Sequence, residues 1–329
     1  MTSEVPERNL GLEMARVTES AAIAGARFQG RGDKHAADQA AVDAMRIIMS
    51  SVDIDGTIII GEGEKDEAPM LYNGEKVGTG AGPKVDVAVD PIDGTRLTAN
   101  GMPGALAVIA LAEAGTMYAP GSLVYMDKVA VGPESRGRID LEAPVEHNLR
   151  QVATAKSKDV NDLTAIILDR PRNQPYIDAC RQAGARIRLI MDGDVSGAIA
   201  TADWDSGIDI LFGIGGSPEA VIAACALTAM GGEMQCKLWA RNEEEEQYAA
   251  DNNHDLTEVL TMKDLVSGKN IFFSATGVTT GELLKGVEFF GHGAMTHSVV
   301  MRSKTGSIRF MEARHDFARL SKISALLDE

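Results

Sequence analysis

The sequence predicts an α/β protein, and three of its features support that class. Strand-like and helix-like segments alternate through the second half of the chain, which is typical of strands joined by helical connections. The 34 glycines suit the many tight turns of such a fold. With 44% hydrophobic but only 5% aromatic residues, the core must consist mainly of Val, Ile, Leu, Ala and Met. A chain of 329 residues is long enough for one large domain or two medium lobes.

The first half begins with two predicted helices, over residues 10–28 and 35–51, each with an apolar face at helical spacing. Short apolar runs bounded by Asp-Gly, Gly and Pro then predict strands and turns. The predicted strands cover 57–60, 85–89, 106–112, 123–131 and 137–141, and a loop or hairpin is expected over 70–83.

In the second half, strands and helices are predicted in turn. The strands cover 164–168, 186–191, 208–212, 271–275, 297–302 and 307–312, and the helices cover 173–183, 195–202, 217–230 and 317–327. The helix at 217 has the clearest start, with Ser217 as N-cap and Pro218 at the first helical position. The acidic run 242–247 is expected to be a solvated loop or helix face.

The segment VDVAVDPIDGT, residues 85–95, organises the rest of the sequence. Its alternation of apolar and acidic residues predicts a strand ending in Asp90, because Pro91 cannot continue the hydrogen-bond ladder. Asp93 is then a candidate N-cap for a helix or turn that starts at the following Gly-Thr.

Two kinds of ligand fit this segment. Carboxylates such as those of Asp90 and Asp93 hold hard cations such as Mg²⁺, and N–H groups at a helix start hold phosphate. The hydroxyl of Thr95 can orient an attacking water, although satisfying the first helical turn is the commoner use of such a threonine. The segment predicts a joint metal and phosphate site. The simpler alternative is a junction whose aspartates only cap and turn.

Further acidic side chains lie near predicted strand ends or helix starts. Glu62 follows a predicted strand and is expected to be a metal ligand, with Glu64 as a second candidate. Asp38 and Glu219 lie in the first turns of predicted helices, where acids are also common because of the helix dipole alone. Glu219 belongs to GIGGSPEA, predicted as a Gly-rich loop that leads into a helix, and this segment lacks the dinucleotide-binding GxGxxG pattern.

The second half supplies basic groups. Arg170 and Arg172 follow the predicted strand 164–168, and a guanidinium binds phosphate oxygens as a bidentate fork, although exposed arginine pairs are usually only surface. Asp192 and Asp194, in the segment MDGDVS, are candidates to accept sugar hydroxyls while nearby N–H groups bind a phosphate. The alternative for Asp194 is a cap of the following helix.

The net charge of −16 argues against nucleic acid and anionic membranes as partners. A phosphorylated substrate would also be repelled unless metals and a local basic patch reverse the field. The three cysteines have no metal-like spacing, the N-terminus lacks a signal-peptide core, and the longest apolar run, 220–230, is too short to span a bilayer. A cytoplasmic protein with reduced thiols is therefore expected.

DPIDGT resembles the signature of the lithium-sensitive, magnesium-dependent phosphatase superfamily, which includes inositol monophosphatases and fructose-1,6-bisphosphatases. Over nearly its whole length the chain closely resembles the class II fructose-1,6-bisphosphatases of bacteria. The acidic middle segment and the C-terminus match least. The likeness is carried by RVTESAAIAG (16–25), GRGDK (30–34), IIIGEGEKDEAPMLYNGEKVGTG (58–80), VAVDPIDGT (87–95), YMDK (125–128), MDGDV (191–195), GIGGSPE (213–219) and IFFSATGVT (271–279).

The resemblance implies roles for individual residues. Five acids are expected to hold Mg²⁺ or Mn²⁺, at one to three ions per subunit as in the family: Asp38, Glu62, Asp90, Asp93 and Glu219. The expected catalytic groups are Thr95, Asp38 and Lys34. The expected substrate-binding residues are Gly94, Thr95, Tyr125, Arg170, Arg172, Asp192, Gly193 and Asp194. Two positions depart from some relatives, which have Lys in place of Arg170 and Glu in place of Asp93, so phosphate and metal geometry are expected to differ slightly.

The implied fold is a layered α-β-α-β-α sandwich in a homodimer or homotetramer, with a metal-binding lobe over 1–150 and a sugar-phosphate-binding lobe over 151–329. The implied activity is removal of the 1-phosphate of fructose 1,6-bisphosphate, a gluconeogenic step. One alternative is the same chemistry on sedoheptulose 1,7-bisphosphate or on an inositol or nucleotide phosphate. The non-enzyme alternative, a sugar-phosphate-binding regulator, predicts lost metal ligands, whereas Glu62, Asp90 and Asp93 are all present.

Overall fold

The computed structural model describes residues 9–63 and 70–320, leaving out the side chain of Leu320. Within those ranges the chain forms two mixed β-sheets with helices packed against them, so the predicted α/β class is confirmed.

The helices and strands follow most of the predicted segments, with boundaries moved by a few residues. The helices are α1 Gly11–Ala26, α2 Lys34–Met49, α3 Thr95–Ala99, α4 Val145–Lys156, α5 Gln174–Ala183, α6 Asp194–Ala202, α7 Ser217–Met230, α8 Glu243–Asp251, α9 Met262–Leu265 and α10 Phe317–Leu320. The strands are β1 Asp55–Ile60, β2 Lys76–Val77, β3 Lys84–Asp93, β4 Leu106–Glu113, β5 Tyr125–Val131, β6 Thr164–Leu168, β7 Arg186–Ile190, β8 Ile210–Gly216, β9 Glu233–Leu238, β10 Phe272–Gly277, β11 Glu288–Phe290, β12 Gly293–Arg302 and β13 Ser307–Asp316.

The first sheet has the strand order β11-β12-β10-β4-β3-β1-β2, with β13 also paired to β12. The second sheet has the order β7-β6-β8-β5-β9. Both sheets are mixed, because β1 runs parallel to β3 and β6 runs parallel to β7 and β8, while most other pairs are antiparallel.

The helices and sheets stack in five layers, in the predicted order α-β-α-β-α. Helices α1 and α2 cover the outer face of the first sheet, where Met45 packs in the same cluster as Ile109 of β4. Helices α6 and α7 lie between the sheets, against Val108 on the other face of β4. Helices α4 and α5 cover the outer face of the second sheet through Leu149 and Ile177. The apolar run of α7 is therefore a core helix between two sheets.

Pro91 does not end β3, contrary to the prediction. The strand continues to Asp93, and its register against β4 shifts between Asp90 and Asp93. An irregularity at this point allows the strand to pass through a residue that has no N–H to donate.

Three other sequence predictions are wrong. Residues 137–141 form no strand, because backbone N–H groups there donate to the side chains of Asn148 and Gln235. Residues 213–216 are not a loop but the end of β8, paired with β5. Gly216, and not Ser217, caps α7, since the Ser217 hydroxyl donates to the Leu123 carbonyl.

Each sheet takes strands from both halves of the chain. Strand β5 lies in the second sheet, and β10, β12 and β13 lie in the first. The division at residue 150 into two functional lobes stays a prediction. The predicted last helix forms at Phe317–Leu320, and its remaining part, 321–327, falls outside the described residues. Within the described ranges, every helix is too short or too polar to cross a membrane.

Candidate active site

The two aspartates of the DPIDGT segment lie at the irregular end of β3. Oδ1 of Asp90 accepts a hydrogen bond from the N–H of Ile92 at 3.0 Å. Asp93 is 4% exposed, and in the described part of the chain its buried Oδ2 has no hydrogen-bond partner. Asp93 is not the predicted N-cap, because Gly94, with φ of 96°, takes that position and α3 begins at Thr95. The carboxylate of Asp93 thus remains available to a ligand.

The five predicted metal-binding acids are close enough for their charges to repel one another. Burial, together with the charges of Asp38 and Glu219, raises the pKa of Glu62 to about 8. Burial, followed by the charge of Asp93, raises the pKa of Asp90 well above its ordinary value. Burial also raises the pKa of Glu219 to about 7 and that of Asp38 above its usual range. Negative charge is therefore in excess here, and a bound cation would relieve the repulsion.

Lys128 partly balances this charge from β5. Lys128 is 2% exposed, and its Nζ lies 2.5 Å from Oδ2 of Asp194 and 2.8 Å from the carbonyl oxygen of Gly216. Burial alone would lower the pKa of Lys128, but the carboxylates of Asp194 and Glu219 hold it above its usual value. Asp194 therefore forms a buried ion pair and does not cap α6, which has Gly193 at its N-cap.

A cavity of about 530 Å³ opens beside these acids, and Asp93, Asp194 and Glu219 form part of its wall. Six further predicted site residues line the same cavity: Lys34, Tyr125, Arg170, Arg172, Asp192 and Gly193. The structure therefore brings groups from both halves of the chain to one place. A methyl group placed on Gly193 would lie 3.8 Å from Oδ2 of Asp93, so the two halves approach closely there.

The remaining predicted residues are not part of the cavity wall. Gly94 and Thr95 directly follow Asp93 in the chain, and the other three acids act on the site through their charge. Residues 64–69, which include Glu64, lie outside the described residues.

The basic part of the wall has two differently bound arginines. Nη2 of Arg170 lies 3.2 Å from Oδ1 of Asp192, which holds it in an ion pair. Arg172 instead donates from Nε to the Ile214 carbonyl at 3.0 Å, and its guanidinium carbon lies 4.2 Å from the ring centroid of Tyr125. Stacking on an aromatic ring orients a guanidinium without neutralising it, so Arg172 keeps its charge for an anion.

Sequence reasoning did not assign two cavity or near-cavity groups, Arg96 and Lys128. Arg96 follows Thr95, is about half exposed, and lies 3.5 Å from Oδ2 of Asp192 through its Nε. Its position directly after the DPIDGT segment was the available signal. For Lys128 the signal was a lone basic residue next to the apolar Val-Ala-Val of a strand, which requires a buried acidic partner.

The acids fit a divalent metal by their chemistry, although they do not form a closed coordination shell. No group of three or more Asp, Glu, His or Cys side chains among residues 9–63 and 70–320 is arranged to hold an ion. A bound cation would give the unpartnered buried Oδ2 of Asp93 a partner and would relieve the repulsion that raises the pKa of Asp90. Carboxylate oxygens are the ligands that Mg²⁺ and Mn²⁺ prefer.

A buried acidic cluster and an arginine-lined wall around one cavity are typical of an enzyme that acts on phosphorylated small molecules. The chain belongs to the family described as bacterial fructose-1,6-bisphosphatase, glpX-encoded, which it matches over residues 8–315. It is 47% identical over 322 residues to fructose-1,6-bisphosphatase 1 class 2 of Escherichia coli (strain K12), covering 94% of this chain and 95% of that protein. The identity and coverage are the same for fructose-1,6-bisphosphatase class 2 of Shigella flexneri. The expected class II membership is confirmed.

Proposed function

We propose that this chain hydrolyses the 1-phosphate of D-fructose 1,6-bisphosphate, giving fructose 6-phosphate and phosphate. The observation that carries the proposal is the division of one cavity into an acidic part around Asp93 and Glu219 and a basic part around Arg170 and Arg172. A bisphosphate needs both parts, because one phosphate reacts at a metal site while the other is gripped by guanidinium groups. A monophosphate would leave the basic part unused.

At the acidic end, the ligands for Mg²⁺ or Mn²⁺ would be Asp38, Glu62, Asp90, Asp93 and Glu219. When bound, one to three such ions supply charge neutralisation of the phosphoryl oxygens and a lowered pKa for the attacking water. The five carboxylates would fix where that positive charge sits. Bound cations would relieve their mutual repulsion.

The residues around the reacting phosphate have separate tasks. The hydroxyl of Thr95, at the start of α3, orients the attacking water in line with the scissile P–O bond. The N–H groups of Gly94 and Thr95 donate to the phosphoryl oxygens as negative charge develops there. Lys34, exposed at the start of α2 and part of the cavity wall, adds a positive charge. Asp38, whose carboxyl group lies near the charge of Lys34, is the third proposed catalytic residue, together with Thr95 and Lys34.

At the basic end, Arg172 and Arg170 hold the 6-phosphate and so select a bisphosphate. Arg172 is oriented by the ring of Tyr125, and Arg170 by Asp192. Asp192 and the oxygen of Asp194 that does not face Lys128 accept hydroxyl groups of the sugar. Gly193 has a φ of 82° and no side chain, so the backbone there can approach the sugar closely.

We further infer the finer assignments that the resemblance implies. The chain would belong to the lithium-sensitive phosphatase superfamily, act in gluconeogenesis in the cytoplasm, and assemble as a homodimer or homotetramer. It would bind neither nucleic acid nor membrane, since its net charge is −16.

The test is phosphate release by the purified protein. Fructose 1,6-bisphosphate, sedoheptulose 1,7-bisphosphate and inositol 1-phosphate are compared with Mg²⁺, with Mn²⁺ and with EDTA. The proposal expects metal-dependent release from the fructose substrate and little from inositol 1-phosphate. Comparable release from sedoheptulose 1,7-bisphosphate would mean that the enzyme accepts both bisphosphates. Release confined to a monophosphate would contradict the proposed role of the arginines, and no release with any metal would favour a sugar-phosphate-binding regulator.

A further inference from the structure

The short segment that carries Arg172 is docked on the second sheet at three points. Arg172 itself stacks on Tyr125 of β5. Four residues later, the hydroxyl of Tyr176 donates to Asp127 of β5, with its oxygen 2.6 and 2.7 Å from the two carboxylate oxygens. Between these two contacts lies Asn173, which is fully buried. These three contacts hold the segment against β5 and β8.

The amide of Asn173 takes the place of missing backbone hydrogen bonds between β6 and β8. The two strands pair only at Ala165 with Ile210 and at Ile166 with Leu211. Beyond that point, Nδ2 of Asn173 donates to the Leu168 carbonyl at 3.0 Å and to the Ile214 carbonyl at 3.2 Å. Its Oδ1 accepts from the N–H of Ile214 at 2.7 Å. A single side chain thus bonds both the N–H and the carbonyl of Ile214.

The same Ile214 carbonyl is the acceptor for Arg172. Nε of Arg172 donates to it at 3.0 Å, so Asn173 and Arg172 share one hydrogen-bond acceptor. Within the described residues, neither Nη1 nor Nη2 of Arg172 has a hydrogen-bond acceptor or a carboxylate partner. These two nitrogens, the outer fork of the guanidinium, can therefore bind a ligand. The orientation of that fork depends on where the Ile214 carbonyl points, and Asn173 bonds both that carbonyl and the N–H of the same residue.

Gly213 provides the room for this arrangement. Its φ is 131°, and a methyl group there would lie 3.0–3.1 Å from the side-chain atoms of Asn173, closer than ordinary contact. Strand β8 accommodates the amide because this position has no side chain.

We infer that Asn173 is a positioning residue for substrate specificity, which sets the guanidinium of Arg172 for the second phosphate of a sugar bisphosphate. The inference rests on the proposed function. Asn173 touches no substrate, and its effect reaches the substrate only through Arg172. The rival view is that Asn173 serves folding alone, in which case its loss would affect all substrates alike.

The experiment is a double-mutant cycle with two substrates. Asn173→Ala, Arg172→Ala and the double variant are assayed with fructose 1,6-bisphosphate and with fructose 1-phosphate, which lacks the second phosphate. Asn173→Ser is included because its neutral hydroxyl can make one of the lost hydrogen bonds without burying a charge. It provides a second variant if the alanine variant does not fold. Asn148→Ala is the matched control, because Asn148 is also buried and bonds both the N–H and the carbonyl of Asp140, at 2.8 Å each.

Each Asn173 substitution is expected to raise KM for the bisphosphate about tenfold, with kcat changed less than about threefold. Kinetics with fructose 1-phosphate should be unchanged, and adding Asn173→Ala to Arg172→Ala should change KM less than about twofold. Asn148→Ala should lower thermal stability without raising KM. Equal losses with both substrates, or effects of the two substitutions that simply add, would overturn the inference while leaving the proposed function intact. An Arg172→Ala protein with unchanged KM for the bisphosphate would instead count against the proposed function itself.

Discussion

Replacing Lys128 by Met should destabilise the protein strongly, because it breaks a buried ion pair from one side. Lys128 and Asp194 are 2% and 7% exposed, and Nζ lies 2.5 Å from Oδ2 of Asp194. Removing one partner of such a pair leaves the other charge buried without compensation, which costs about 3–5 kcal/mol of unfolding free energy. That is a large share of the roughly 5–15 kcal/mol that stabilises a typical domain. Methionine keeps the volume of the chain, so packing changes little.

The measurement is urea unfolding of metal-free protein in EDTA at neutral pH. With an m value of about 3 kcal/mol per molar urea, the midpoint should fall by about 1–2 M. The double variant Lys128→Met with Asp194→Asn removes both charges and should recover at least half of the loss. Lys237→Met is the control from the neighbouring strand. Its ion pair with Glu142 is 3.6 Å long and partly exposed to solvent, so its midpoint should scarcely move. A midpoint shift for Lys128→Met as small as that of Lys237→Met would refute the reasoning.

Three further predictions concern other parts of the chain. Burial raises the pKa of Glu19 to about 7, so ionisation of this side chain destabilises the folded state as the pH rises from about 4.5 through about 7. In urea unfolding, the free energy of unfolding of Glu19→Gln relative to that of wild type should therefore rise by on the order of 2–3 kcal/mol between about pH 5 and about pH 8. A difference between the two proteins that does not change with pH would contradict this. Gly61→Ala should reduce kcat more than about a hundredfold, since its methyl group would collide with the Leu71 carbonyl and displace the adjoining Glu62, a proposed metal ligand. Near-normal turnover would argue against this turn as part of the site. Arg96→Ala should lower kcat/KM for the bisphosphate about tenfold by removing a cavity cation beside Asp192, whereas an unchanged value would exclude Arg96 from binding.

Local sequence patterns predicted most of the architecture. The helix 217–230 and the strand 164–168 were predicted with the boundaries that the structure shows, because each has a continuous apolar run and a clear start or stop. Predictions failed where tertiary contacts replaced local rules. Pro91 lies within β3 because the ladder is irregular there, and the glycines of 213–216 form a strand because the neighbouring β5 supplies the hydrogen bonds.

The site shows the same limit of sequence reasoning. The DPIDGT segment led to Asp90 and Asp93 because their spacing is local and characteristic. Nothing local predicts that Lys128 meets Asp194, since 66 residues separate them and only the fold brings them together. The hydrogen bonds of the Asn173 amide could not be predicted for the same reason, because its partners Leu168 and Ile214 lie on two different strands.

The most direct test of the central claim is the identity of the product. Fructose 1,6-bisphosphate is incubated with the protein and Mg²⁺ or Mn²⁺, and phosphorus NMR follows the two phosphate signals separately. If the acidic part of the cavity holds the reacting phosphate and Arg170 and Arg172 hold the other, the 1-phosphate signal alone should disappear and fructose 6-phosphate should accumulate. Accumulation of fructose 1-phosphate, or loss of both signals at equal rates, would contradict the account.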